Sequence, residues 1–163
     1  MQPENKHTIS VLVSNHFGVL AKVSGMFSAR GFNINSLCVG ETENPEVSRM
    51  TVVVRGDHSV LAQLIQQLNK LVDVIEIQDL TQESFVEREL VMIKVNAGQE
   101  QRGAVIEVAS IFRAKIVDVG QHCMTIEVTG AEGKIRACID MMRAFGIAEL
   151  VRSGEIAISR AAK

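Results

Sequence analysis

The chain contains neither tryptophan nor tyrosine, and only six phenylalanines in 163 residues. Single-stranded nucleic acids are gripped by stacking bases on aromatic rings, so this scarcity argues against such a partner. An excess of cations is missing as well. The formal net charge is −2, with 6 basic against 8 acidic groups in the first 80 residues and 11 against 11 in the rest. A nucleic-acid surface needs a positive stripe, and neither half supplies one. The cysteines, Cys38, Cys123 and Cys138, are odd in number and far apart. They read as small buried hydrophobes in a reducing cytosol rather than as a disulfide framework. No CxxC pair occurs, and His7, His16, His58 and His122 are never four residues apart, so no metal site is expected. His16 reads as a solvent-exposed turn residue. No apolar run reaches the ~18 residues of a membrane span, and MQPENKHTIS lacks the apolar core of a secretion signal. The expected compartment is the cytoplasm. GxSxG, P-loop, GxGxxG and HExxH motifs are all absent, so no catalytic residue is assigned. A binding or regulatory module is favoured over an enzyme.

What the chain does contain is a 47% apolar fraction, ample for globular cores, and one telling stretch, NHFGVLAKVSGMFSARGFNIN, from Asn15 to Asn35. Val19, Leu20, Val23, Met26 and Phe27 share one face of a helix. Gly18 stands where that helix starts and Gly31 just past its end. A helix start presents backbone N–H groups without intrahelical acceptors and the positive end of the dipole, which suits a carboxylate. Asn15 precedes it and Asn33 lies beyond its far end. Two amides and a helix N-terminus can together hold a small zwitterion.

The surrounding pattern is β-α-β-β-α-β. His7 to Val13 alternates as a strand with Ile9, Val11 and Val13 on one face. Asn33 to Val39 and Val47 to Arg55 are strands joined by the polar loop ETENPE, and Ser48-Arg49-Met50-Thr51 sets Arg49 either near a pocket or outward. Asp57 caps a second helix with Val60, Leu61, Leu64, Ile65 and Leu68 on one face, and Leu71 to Gln78 returns as a strand. The second half repeats the order: a strand over Leu90 to Val95, a helix marked by Val105, Val108, Ala109 and Phe112, strands over Lys115 to Val119 and Cys123 to Val128, and a helix marked by Ile135, Cys138, Ile139 and Met142. Short strands over Ile147 to Val151 and Ile156 to Ile158 close the chain. The predicted fold is α+β, two ferredoxin-like βαββαβ domains over residues 1–80 and 81–163, with a polar link near Thr81 to Glu89. The uncovered sheet faces and edges suggest pairing into a dimer.

SVLVSNHFGVLAKVSGMFSARGFNINSL, SRMTVVV, QLNKLVDVIEI and VERELVMIKV together resemble the small regulatory subunit of acetohydroxyacid synthase, also called acetolactate synthase. The resemblance covers nearly the whole chain. It implies that the first domain is an ACT domain that forms a homodimer and binds a branched-chain amino acid, usually valine; a pocket differing by one methylene leaves leucine and isoleucine open as alternatives. By the same resemblance, Asn15 supplies an amide, Gly18 opens the helix start, and Val19 and Leu20 offer N–H groups to the ligand carboxylate. Asn33, with Ile34 beside it, comes from the partner chain. The implied partner is the catalytic large subunit, which carries thiamine diphosphate, magnesium and FAD; this chain is expected to hold no cofactor itself. The implied role is to activate that subunit and confer feedback inhibition in branched-chain amino acid biosynthesis.

Two other readings fit the same element order. One is a stand-alone ACT-type amino-acid sensor that regulates another protein. The other is an RNA-binding module, which needs aromatic residues on its central strands where this chain has Val11, Val52 and Val53.

Overall fold

The computed structural model describes residues 5–161, so the extreme ends of the two expected domains, 1–4 and 162–163, lie outside the described residues. The chain divides into two compact units. The first comprises residues up to Val86 together with those from Glu155 on, and the second is Glu87–Gly154. The last strand, which the element count places in the second half, packs with the first.

In the first unit β1 (Asn5–Ser14), α1 (Val19–Ala29), β2 (Ile34–Glu41), β3 (Val47–Gly56), α2 (His58–Leu68) and β4 (Val74–Asp79) follow in order. The strands form an antiparallel sheet in the order β2-β3-β1-β4, with β2 and β4 at its edges. The second unit repeats the scheme with β5 (Phe85–Asn96), α3 (Arg102–Ile111), β6 (Lys115–Val119), β7 (Cys123–Gly130), α4 (Glu132–Met142) and β8 (Ile147–Arg152). Its sheet order is β6-β7-β5-β8, and β9 (Ile156–Ser159) pairs with β5. The fold is α+β, built from two ferredoxin-like units.

Hydrophobic periodicity accounts for both cores. Ile9, Val11 and Val13 of β1 are buried against Val19, Val23 and Phe27 of α1 and Leu61, Leu64 and Leu68 of α2. Each such side chain stabilises the fold by about 1.5–3 kcal/mol. Leu20 departs from its expected place on the core face of α1: it is 46% exposed. The second core joins Val91, Ile93 and Val95 to Val105, Val108, Ile135, Cys138 and Met142.

Helix ends follow the local code. Asp57 caps α2 by accepting the Val60 N–H at 2.9 Å. Gly31 ends α1 at φ 71, with Gly31 N–H bonded to Ser28 O and Phe32 N–H to Phe27 O. That is a Schellman stop, and its hydrophobic contact is the edge-on pair Phe27–Phe32, 6.4 Å between ring centres.

The segment expected to be a polar link is regular structure. A 3-10 turn over Leu80–Gln82 buries Leu80, and β5 begins at Phe85. Glu89, which reads as linker, is buried and takes both Nε and Nη2 of Arg152. A bidentate arginine satisfies a carboxylate that burial would otherwise penalise.

β1 is covered on both faces. Thr8 and Ser10, opposite the apolar row, are each 2% exposed. Arg49 donates to Ser10 Oγ at 2.6 Å, so it lies along the sheet face away from the helices. Glu155, ahead of β9, accepts from Thr8 Oγ1 at 3.2 Å and from Lys6 Nζ at 2.6 Å, while its own N–H donates to Ser36 Oγ at 2.9 Å. The end of the chain is thus bonded to β1 and β2. Glu155→Ala should lower stability by about 1–3 kcal/mol, the usual cost of leaving buried polar partners unmatched. Urea unfolding of the variant against the parent measures it; an unchanged midpoint would show that the tail contributes nothing.

Candidate functional site

Four of the expected ligand residues lie together at the junction of β1 and α1, Asn15 and Gly18 in the turn and Val19 and Leu20 as the first two residues of the helix. Gly18 occupies the N-cap position at φ 86 and ψ −10, and a Cβ there would meet nothing within 4 Å. The left-handed backbone rather than crowding is what demands glycine at this position. The Val19 N–H makes a long bond to His16 O at 3.4 Å, and no side chain on Gly18 blocks an anion approaching the first turn of α1.

Asn15 is tied into the turn from one side. Its N–H donates to Glu46 O, and Nδ2 donates to Pro45 O at 2.8 Å and to Glu41 Oε1 at 3.2 Å. The donors of its amide therefore serve the β2–β3 hairpin, and its carbonyl oxygen keeps its capacity to accept.

From the other side the turn is held by Asp73, just ahead of β4. Asp73 O accepts the Ser14 N–H at 2.8 Å. Its carboxylate takes His16 Nε2 at 2.9 Å on one oxygen and Lys22 Nζ at 2.8 Å on the other. The residue is 8% exposed. The Lys22 bond is the main force holding its carboxyl below the ordinary value; burial opposes it and the His16 bond assists. His16 is exposed as expected for a turn, yet its ring is anchored. Sequence reading missed Asp73 because LVDV looks like an uninterrupted strand. The available signal was an acid inside an apolar run.

Asn33 and Ile34 lie elsewhere in the same chain. The eleven residues of α1 separate them from Gly18 by about 16 Å of helix. Both stand at the start of edge strand β2. Asn33 and Asn35 line an open pocket of about 780 Å³ together with Arg30, Arg55 and His58. One copy of the chain therefore does not bring all six expected residues together. No cluster of metal-ligating side chains occurs among the described residues, and none of their helices is long and apolar enough to cross a membrane.

A "Probable acetolactate synthase small subunit" from Archaeoglobus fulgidus is 55% identical over 158 residues, covering 97% of this chain and 99% of the relative. The chain belongs to the acetolactate synthase small-subunit family. Two family models divide it between them: an AHAS small subunit-like ACT domain matches residues 9–76, and the small subunit of acetolactate synthase matches residues 88–161. The "Acetolactate synthase small subunit" of Mycolicibacterium smegmatis is 49% identical over 154 residues, 94% of this chain and 91% of the relative. Among solved structures, the acetolactate synthase small subunit of Thermotoga maritima superposes with a TM-score of 0.89 at 38% identity, covering 98% of this chain and 99% of that one. A small subunit implies a catalytic large subunit as its partner.

The lowered pKa of Asp73 gives this small subunit a defined acid response. A group whose folded pKa lies below its unfolded one adds stability above the ordinary carboxylate range and loses it as pH falls through the folded value. Asp73→Asn should therefore flatten the stability curve from about pH 4 downward. Melting temperatures across that range, parent against variant, decide it; parallel curves would mean that the clamp contributes no acid sensitivity.

Proposed function

We propose that this small subunit binds valine at an interface between two copies of its ACT domain, and thereby regulates the catalytic large subunit. It activates that subunit and confers feedback inhibition in branched-chain amino acid biosynthesis. The observation that carries this reading is Gly18: a left-handed residue with open space about it at the start of a helix. A ligand carboxylate approaches the N–H groups of Val19 and Leu20 there, and the dipole favours it. The carbonyl oxygen of Asn15 takes the ammonium group.

The separation of Asn33 from Gly18 supports a site made by two copies. β2 is a sheet edge, an unpaired ladder that invites another strand. Antiparallel pairing of two such edges sets the start of one β2, with Asn33 and Ile34, against the end of the other. Glu41 ends β2 and bonds Asn15. Asn33 of one copy thus comes toward the turn of the other. Ligand occupancy is then tied to the arrangement of the pair, which is what a feedback switch requires. Thiamine diphosphate, magnesium and FAD belong to the large subunit in this reading, none is held by this chain, and the complex works in the cytoplasm.

Valine should raise the melting temperature of the isolated protein. A ligand at a hundred times its dissociation constant adds ~2.7 kcal/mol. D-valine should have no such effect, and the absence of a shift at saturating L-valine would sink the proposal. Gly18→Asp places a carboxylate where the ligand's own belongs and also strains the left-handed backbone there, so inhibition of the reconstituted enzyme by valine should disappear. Asn33→Ala removes a ligand hydrogen bond worth ~1–3 kcal/mol, so the half-inhibitory valine concentration should rise roughly tenfold or more. Normal inhibition in both variants would place the ligand elsewhere.

A further inference from the structure

We infer that Asp73 is the positioning residue of the ligand turn, acting through His16 and Lys22 rather than by touching ligand. The inference rests on the valine-binding reading and adds a residue to it. Every strand-to-helix turn is tethered at its ends, but here one residue supplies three tethers. Its carbonyl oxygen takes Ser14 N–H before the turn, one carboxylate oxygen takes His16 within it, and the other takes Lys22 in the first turn of α1. These three points bracket Gly18, whose left-handed conformation is unfavourable for most residues and is retained where surroundings over-determine it. The carboxylate is buried and charged, with side-chain exposure of 10%, whereas His16 and Lys22 are exposed to 53% and 55%. A buried carboxylate that draws two long, exposed cationic or polar side chains onto itself spends their freedom on one geometry.

Asp73 stands apart from the ligand contacts. Asn15 is held by the opposite wall, through Glu41, Pro45 and Glu46. The turn is therefore gripped between the β2–β3 hairpin on one side and the residue ahead of β4 on the other. Loosening the Asp73 side lets the N–H groups of Val19 and Leu20 move while leaving their chemistry intact. Preorganised donors lose affinity when they must first be ordered.

The test is calorimetric titration of the full-length protein with L-valine, paired with the ¹⁵N signals of the His16 ring. Asp73→Asn keeps the shape of the side chain and removes its charge. It should raise the valine dissociation constant about tenfold and shift the His16 ring signals. Lys22→Met should weaken valine several-fold, and Lys22→Arg, which retains the ion pair, should restore it, with circular dichroism showing that both variants stay folded. In the double variant His16→Gln with Asp73→Asn, the two losses should fall short of adding, because both act through one contact. If the parent binds valine and neither Asp73→Asn nor Lys22→Met changes the dissociation constant by more than twofold, the inference is overturned. Full loss in Lys22→Met that Lys22→Arg does not restore would also overturn it, by pointing to a direct lysine contact. A parent that does not bind valine at all takes down the ligand reading first, and this inference with it.

Discussion

The carboxylate of Asp73 meets His16 and Lys22 at the point where β1 hands over to α1, and the shape of that handover depends on it. A strand-to-helix turn that passes through a left-handed residue is not the conformation the chain would choose alone. It persists because both of its walls bind it: Asp73 from the side of β4, and the β2–β3 hairpin through Asn15. The helix start is consequently held in one orientation, and no side chain on Gly18 covers it.

Behind the turn, β1 provides a rigid base. It is the strand through which β3 and β4 are joined, with ten residues in register against β3. Its apolar row lies under both helices, and its polar row, Thr8 and Ser10, is buried as well. A strand covered on both faces has little freedom to bend, so displacement at the turn is not absorbed by the sheet. Glu155 contributes to that cover from the far end of the sequence, bonded to Thr8 and Lys6 of β1 and to Ser36 of β2. The edge strand carrying Asn33 and Ile34 is therefore bonded to the tail that follows the second unit.

In the proposed reading the ligand site is split between the start of a helix and the start of an edge strand, and that split has a thermodynamic consequence. Neither part alone satisfies a zwitterion: the helix start suits the carboxylate, and amide oxygens suit the ammonium. A ligand that needs both favours whichever assembly brings them together, and by linkage that assembly favours the ligand. β2 lies at the sheet edge, and the proposed source of the other part is a second copy pairing there.

Periodicity alone determined the element order, the two α+β units and most of the core, because alternation and 3.6-residue spacing are read directly from side-chain chemistry. It also marked Gly18, Gly31 and Asp57, whose roles are set by backbone preference within a few residues. The family followed from the motifs of the turn and the strands around it. What lay beyond the reach of the sequence were relations between residues distant in the chain. The link looked polar because Glu87 and Glu89 are acids, yet Glu89 pairs with Arg152, 63 residues away. Leu20 looked like core, but the helix turns it to solvent next to the residues expected to receive the ligand. LVDV looked like strand, and only the fold set Asp73 57 residues from His16 in sequence and 2.9 Å from it in space. Local propensity decides which elements form; burial and charge pairing across the sheet decide which side chains meet, and those pairings carry no signature in the neighbouring sequence.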